Sequence, residues 1–118
     1  MHENWRELAA GLSAPLRDLR GGATGVMKAF SSLARAATEA GALDARTKEL
    51  IALAIAVATR CDACIAFHAD AAVRQGASRT EVMETMGMAI YMGAGPAVMY
   101  AAQAVEAFDQ FGAAATAA

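Results

Sequence analysis

Apolar residues recur every three or four positions over residues 3–20, which is the spacing of one face of a helix. Pro15 has no amide hydrogen to donate, so it predicts a break or a restart of this helix near Ser13. Two consecutive glycines, Gly21 and Gly22, predict where the helix ends. The apolar stripe comprises Trp5, Leu8, Leu12, Leu16 and Leu19.

The same spacing predicts a second helix over residues 24–40, which Gly41 would end. Asp44 is a residue type that caps helices, and it predicts a third helix over residues 45–59. Residues 50–58 of that helix are apolar on every side, so we expect protein to surround it. The stripe of the second helix comprises Val26, Met27, Phe30, Leu33 and Ala37.

A fourth helix is predicted to begin at Arg60 or Cys61 and to run to Gln75, where Gly76 would cap its end. The sequence "SRTE" that follows, residues 78–81, is a capping box that predicts the start of a fifth helix.

The sequence "GAGP", residues 93–96, predicts a break after the fifth helix. Pro96 suits the first turn of a sixth helix, which we expect to end near Phe111. The tail of residues 112–118 is expected to fray. Strand signals are nearly absent. The pattern therefore predicts an all-α fold of about six helices in a single domain over residues 1–118.

Composition adds an expectation about assembly. Alanine fills 33 of the 118 positions, and 57% of the residues are hydrophobic. Alanine forms helices well and fills little volume, so helices can approach closely. Such a chain has more apolar surface than one small bundle hides, and we expect a homo-oligomer. The predicted helices over residues 83–92 and 96–111 are the candidate interface.

Charge and hydropathy exclude several partners. The net charge is −2 with mixed signs, so there is no basic face for a nucleic acid. The longest apolar run has nine residues, whereas a bilayer span needs about 20, so we expect no membrane association. The N-terminus lacks the pattern of a signal peptide, and the expected location is the cytoplasm. Cysteine pairs there are commonly catalytic or metal-binding.

The candidate chemistry lies in "RCDACIAFH", residues 60–68, which holds both cysteines of the chain and one of its two histidines. On a helix, Cys61, Cys64 and His68 share one face because successive residues turn by about 100°. Two thiols three residues apart can form a disulfide. Glu49, just before the apolar run, is expected to be drawn inside, where its carboxylate needs a partner.

Two plainer interpretations of the cysteines stay open on spacing alone. The pair could be small core residues. It could also bind zinc with His68, although three ligands would need Glu49 or a second subunit to complete the site. We expect neither a metal nor a cofactor. The methionines of the fifth and sixth helices are expected to fill the core or subunit contacts.

The stretch "GALDARTKELIALAIAVATRCDACIAFHADAAVRQGAS", followed by "GAGPAVMYAAQAVEAF", resembles the carboxymuconolactone decarboxylase family in its alkylhydroperoxidase D-like (AhpD-like) branch. The resemblance covers about residues 25–111. Its specific element is a glutamate, Glu49, placed twelve residues before a Cys-x-x-Cys pair that a histidine follows four residues later.

The resemblance implies an AhpD-like helical bundle in which the helix of Glu49 packs on the cysteine helix. It also implies that Cys64 attacks a peroxide, that Cys61 resolves the product as a disulfide, and that Glu49 and His68 relay protons. The branch has a second histidine where this chain has Ala63, so the relay is shorter here. Trimers or hexamers are the assemblies that the resemblance implies.

The helix dipole favours the thiolate form of Cys61, whereas the proton relay favours the thiolate form of Cys64. We expect the relay to have the larger effect, so that Cys64 is the attacking thiol. The predicted function is a thiol-dependent antioxidant peroxidase that reduces a small hydroperoxide and is regenerated by a dithiol or protein reductant. One alternative is a lyase resembling carboxymuconolactone decarboxylase. Another is a helical oligomer that senses redox state without catalysis.

Overall fold

A computed structural model describes residues 4–117, and these residues form helices joined by short connections, with no strand among them. The predicted all-α fold is therefore confirmed. The described part of the chain contains six helices: α1 (Trp5–Gly11), α2 (Ser13–Gly22), α3 (Thr24–Thr38), α4 (Ala45–Ala58), α5 (Asp62–Arg74) and α6 (Arg79–Ala117).

The predicted first helix is divided into α1 and α2 at Leu12, next to the expected restart at Ser13. Pro15 lies in the first turn of α2, where its missing amide hydrogen leaves no helical bond unmade. The predicted start of this helix at Glu3 lies outside the described residues. Asn4 caps α1, because its Oδ1 accepts a hydrogen bond from the amide of Glu7 at 2.9 Å.

The core forms where α4, α5 and α6 pack against one another. Alanine faces on these helices allow close approach, and a few large side chains fill the remaining volume. Helix α1 is tied to this core through Trp5, whose Nε1 donates to Glu106 Oε1 at 2.7 Å. The largest fully buried side chains are Trp5, Leu53, Ile65, Val57 and Val82.

Two caps predicted from the sequence are present at the ends of core helices. Asp44 Oδ1 accepts from the amide of Thr47 at 2.8 Å and opens α4. At the start of α6, Ser78 Oγ accepts from the amide of Glu81 at 3.1 Å, and Glu81 Oε1 accepts from the amide of Ser78 at 2.8 Å. Both capping predictions are confirmed.

Helix α6 is bent at the predicted break. Ala94 has φ 57° and ψ −143°, which interrupts the helix between its segments 79–93 and 95–117. Pro96 follows in the first turn of the second segment, as expected. The two segments correspond to the predicted fifth and sixth helices.

The predicted end of the sixth helix near Phe111 is wrong, because α6 continues to Ala117. Residue 118 of the predicted tail lies outside the described residues. Alanines dominate this stretch, and alanine is the strongest helix former. The hydroxyl of Thr116 also donates to the carbonyl of Gly112 at 3.2 Å, which is a contact within the helix.

Helices α2 and α3 project from the core. Neither contains a buried residue, although the pattern predicted an apolar stripe along α3. Their link to the core includes Lys48, whose Nζ donates to the carbonyls of Ala37 and Glu39 at 3.0 and 2.6 Å. No helix within residues 4–117 is long and apolar enough to cross a bilayer.

Candidate active site

The junction between α4 and α5 positions the first cysteine. Helix α4 ends at Ala58, and Arg60, two residues later, has a positive φ of 57°. The amide of Arg60 donates to the carbonyl of Val57 at 3.2 Å, and the amide of Cys61 donates to that of Ala56 at 3.1 Å. This pair of bonds is a Schellman end, which reverses the chain and starts α5 at once.

Cys61 is the N-cap of α5 and lies outside the helix, with extended backbone angles. Its Sγ accepts a hydrogen bond from the amide of Cys64 at 3.2 Å. The prediction that Cys61, Cys64 and His68 share one helical face is therefore correct for Cys64 and His68, whereas Cys61 precedes the helix. The two cysteines form a disulfide across a Cα–Cα distance of 5.1 Å.

Glu49 is buried in α4 and contacts His68. Glu49 is 8% exposed and is the one buried charged residue among those that the structure describes. Its Oε2 lies 3.0 Å from Nδ1 of His68, which joins α4 to α5. The expectation that Glu49 is drawn inside and needs a partner is confirmed.

A cavity of about 230 Å³ opens beside this pair. Cys64 and His68 line it from α5, so the second cysteine and the imidazole face one space. The rest of the wall is formed by α4 and the residue that follows it, at positions spaced mostly by three or four residues. That wall comprises Ala52, Ile55, Ala56 and Thr59.

The polar groups on the cavity wall are few. The hydroxyl of Thr59 donates to the carbonyl of Ile55 at 2.8 Å, so it is already engaged within α4. His68 is the one ionisable side chain of the lining besides Cys64. The space therefore suits an uncharged group of modest size next to one imidazole.

Four residues selected from the sequence thus meet at one place: Cys61 and Cys64 through the disulfide, His68 and Glu49 through the hydrogen bond. Sequence reasoning did not select the α4 wall. Its helical spacing was visible in the apolar run, but which face of that run borders the cysteines depends on how α4 and α5 pack.

Within residues 4–117 no group of three His, Cys, Asp or Glu side chains is arranged to hold a metal ion.

Comparison with known proteins agrees with this arrangement. The profile of the carboxymuconolactone decarboxylase family matches residues 24–107, which include both cysteines, Glu49 and His68. The chain belongs to the carboxymuconolactone decarboxylase family. The resemblance inferred from the motif is confirmed, and its alkylhydroperoxidase D-like branch is consistent with the match.

Similar proteins occur in bacteria. An uncharacterised protein of Cupriavidus necator is 46% identical over 83 residues, which is 70% of this chain and 74% of that protein. An uncharacterised protein of Haemophilus influenzae is 41% identical over 109 residues, covering 92% of this chain and 96% of its own.

Solved structures share the fold. A family member from Legionella pneumophila superposes with a TM-score of 0.91 at 48% identity, covering 94% of this chain and 99% of its own. A Thermotoga maritima member superposes with a TM-score of 0.78 at 29% identity, covering 86% and 87% of the two chains. That second protein is described as a family member suggested to be involved in an antioxidative response.

Proposed function

We propose that this protein reduces small hydroperoxides through a Cys61–Cys64 redox cycle. The observation that carries the proposal is the disulfide next to an imidazole that a buried carboxylate holds, with one sulfur and the imidazole on the same cavity. The antioxidative response suggested for the Thermotoga relative supports the same chemistry. A lyase reaction would need no paired thiols.

In the first step the Cys64 thiolate attacks the distal oxygen of the hydroperoxide. A sulfur–oxygen bond forms and the oxygen–oxygen bond breaks, which leaves Cys64 as a sulfenic acid and releases an alkoxide. His68 takes the thiol proton beforehand and returns it to the alkoxide, which leaves as the alcohol. General acid–base assistance of this kind contributes about 10²–10⁴-fold to a rate.

Glu49 fixes the orientation of His68. If Nδ1–H donates to the Glu49 carboxylate, Nε2 is the nitrogen that exchanges protons with Cys64. The carboxylate also stabilises the imidazolium that forms when His68 holds the proton, as it does for other carboxylate–histidine pairs. Ala63 contributes no proton group, so the relay consists of these two side chains.

Cys61 resolves the sulfenic acid. Its Sγ attacks Cys64 Sγ, forms the disulfide, and displaces hydroxide, which leaves as water after protonation. The N-cap position favours the thiolate form of Cys61, because the helix dipole and the amide of Cys64 stabilise a negative charge there. In this proposal the helix dipole activates the resolving thiol, Cys61, and the His68–Glu49 pair activates the attacking thiol, Cys64.

An external dithiol closes the cycle. One of its thiolates attacks Cys64 Sγ, the sulfur that faces the cavity, and Cys61 leaves as a thiolate at the helix N-terminus. The second thiol of the reductant then attacks the mixed disulfide and releases Cys64. The reductant becomes a disulfide, and the protein returns to the dithiol form. We propose the cytoplasm as the compartment that supplies this reductant.

Peroxide consumption tests the proposal. The fully reduced protein, freed of reductant, is mixed with an excess of cumene hydroperoxide or hydrogen peroxide. Wild-type protein should consume one equivalent per chain rapidly, and added dithiothreitol should make the reaction continue. Cys64→Ser should consume none in the same interval, and Asp70→Asn on the same helix serves as the control. Equal consumption by wild-type protein and Cys64→Ser would refute the proposal.

A further inference from the structure

The cavity beside Cys64 has a third polar group, the hydroxyl of Thr59. This hydroxyl donates to the carbonyl of Ile55 at 2.8 Å and lies 3.5 Å from the carbonyl of Ala56. A hydroxyl has one hydrogen to donate and two lone pairs that accept. Because its hydrogen is used within α4, the Thr59 oxygen can only accept a hydrogen bond from a molecule in the cavity.

The end of α4 does not need this hydroxyl. The carbonyl of Ile55 already accepts from the amide of Thr59 at 2.8 Å, and the carbonyl of Ala56 accepts from the amide of Cys61 at 3.1 Å. Both carbonyls would therefore stay satisfied without the hydroxyl. Within residues 4–117 no group donates a hydrogen bond to Thr59 Oγ1, so this oxygen is an open acceptor at the cavity.

Three chemical functions thus line one space. Cys64 supplies a nucleophile, His68 supplies a proton donor once it holds the thiol proton, and Thr59 supplies an acceptor. The rest of the lining consists of alanine and isoleucine side chains. A hydrogen bond is stronger in such apolar surroundings than in water, so each of the three groups has a large effect on how a bound molecule is oriented.

A hydroperoxide needs these three functions at once. Its distal oxygen is the atom that the thiolate attacks, and that oxygen also carries the one hydrogen of the O–O–H group. Its proximal oxygen becomes the alkoxide and needs a proton. An alcohol, a disulfide or a thiosulfonate lacks at least one of these features, so the three groups together are selective for O–O–H.

We propose that Thr59 binds the hydroperoxide by accepting a hydrogen bond from its distal O–H. Thr59 has this role only if the proposed peroxidase reaction takes place. The bond orients the distal oxygen toward Cys64 Sγ, while Nε2–H of His68 donates to the proximal oxygen. As the sulfur–oxygen bond forms and the oxygen–oxygen bond breaks, the distal oxygen keeps its hydrogen and becomes the sulfenic hydroxyl. The proximal oxygen takes the His68 proton and leaves as the alcohol.

Two substitutions separate the oxygen from the rest of the side chain. Thr59→Val keeps the shape but lacks the acceptor, and Thr59→Ser keeps the hydroxyl. All proteins carry Cys61→Ser, so that Cys64 is the one thiol of the chain, and serine also caps helices. Stopped-flow mixing gives the rate constant of the reduced proteins with cumene hydroperoxide. A second series uses methyl methanethiosulfonate, which attacks no differently at sulfur but has no O–H or N–H to donate.

Thr38→Val is the matched control. Thr38 ends α3, and its hydroxyl makes the same contacts as that of Thr59, to the carbonyls of Ala34 and Arg35 at 2.8 and 3.5 Å. Thr38 does not line the cavity. The variant therefore removes an equivalent bond within a helix and leaves the site unchanged.

We expect Thr59→Val to lower the rate constant with cumene hydroperoxide by about 5- to 10-fold, which is the effect of one hydrogen bond. Thr59→Ser should restore most of the rate, and Thr38→Val should react as fast as the protein with both threonines. All of these proteins should react equally fast with methyl methanethiosulfonate.

The outcomes distinguish the role of Thr59 from the proposed function. If Cys64 reacts with methyl methanethiosulfonate but not with cumene hydroperoxide, the proposed function is wrong, and the role of Thr59 with it. A rapid hydroperoxide reaction that Thr59→Val leaves unchanged would overturn the role of Thr59 alone. So would an equal loss of rate with both reagents, which would originate in the thiol, or a Thr59→Ser variant as slow as Thr59→Val.

Discussion

At the scale of single residues, the proposed chemistry depends on how Glu49 orders its neighbours. A buried carboxylate is costly unless it is paired, and here the imidazole of His68 is the partner at 3.0 Å. The same contact leaves the other imidazole nitrogen available toward the cavity that Cys64 lines. One hydrogen bond thus satisfies the buried charge and orients the base.

Glu49→Gln tests that role. Glutamine has nearly the shape of glutamate, so the fold should survive, but it lacks the charge that stabilises an imidazolium. We expect the rate of Cys64 oxidation by hydroperoxide to fall by about 10²-fold. Stopped-flow measurement of the reduced protein gives this rate, with Glu84→Gln, on the exposed side of α6, as the control. An unchanged rate would remove Glu49 from the mechanism.

Asp44 provides a test of pH dependence. Hydrogen bonds from Thr47 to its carboxylate, with Arg46 nearby, hold the pKa of Asp44 below its usual value of 3.8. The folded state therefore favours the carboxylate. Its stabilising effect is complete above the usual pKa and is lost as the pH falls through the lower, folded-state pKa.

Comparison with Asp44→Asn isolates this effect, because asparagine also caps helices but does not titrate there. The difference in Tm between wild-type protein and the variant should be constant near neutral pH. It should shift against the wild type as the pH is lowered below 3.8. A difference that stays constant down to acidic pH would show that the cap gains nothing from its charge.

At the scale of elements, the break in α6 places two adjacent residues under different constraints. Ala94 adopts φ 57° and ψ −143°, a region that glycine tolerates and alanine does not. Its neighbour Gly93 has ordinary backbone angles but little space, since an added Cβ would lie 2.7 Å from Cβ of Ala97. Position 94 would therefore favour glycine for its backbone angles, whereas position 93 has no space for a residue larger than glycine.

Two substitutions test this arrangement. Ala94→Gly should raise the free energy of unfolding by about 1 kcal/mol, because it relieves the strained backbone. Gly93→Ala should lower it by about 1–3 kcal/mol, because the new methyl group overlaps Ala97. Urea denaturation of both variants measures the pair. The reverse order of stabilities would mean that the bend is not built as described.

Local signals explain which elements the sequence predicted well. Asp44 and the Ser78–Glu81 capping box could be predicted because the side chain that is recognised in the sequence is also the one that forms the capping hydrogen bond. The positive φ angles of Arg60 and Ala94 had no such signal, since neither is glycine. The continuation of α6 past Phe111 was missed because alanine propensity outweighed the expected fraying of a terminus.

At the scale of the whole molecule, the same contrast applies to the site. The spacing of Glu49, Cys61, Cys64 and His68 identified the four residues that the fold brings together. The α4 wall of the cavity could not be predicted, because it depends on the contact between α4 and α5. The exposure of Val26, Phe30 and Leu33 on α3 was also not predictable, since periodicity shows that a helix has an apolar face but not what covers it.

The central claim is that Cys64 reacts with hydroperoxide and that Cys61 resolves the product. Mass-spectrometric mapping of peroxide-treated protein, with a sulfenic-acid trap such as dimedone, tests it most directly. We predict an intramolecular Cys61–Cys64 disulfide in wild-type protein and a trapped sulfenic acid on Cys64 in Cys61→Ser. Free thiols at both positions under excess hydroperoxide, or a sulfenic acid trapped on Cys61 in Cys64→Ser with none on Cys64 in Cys61→Ser, would contradict it.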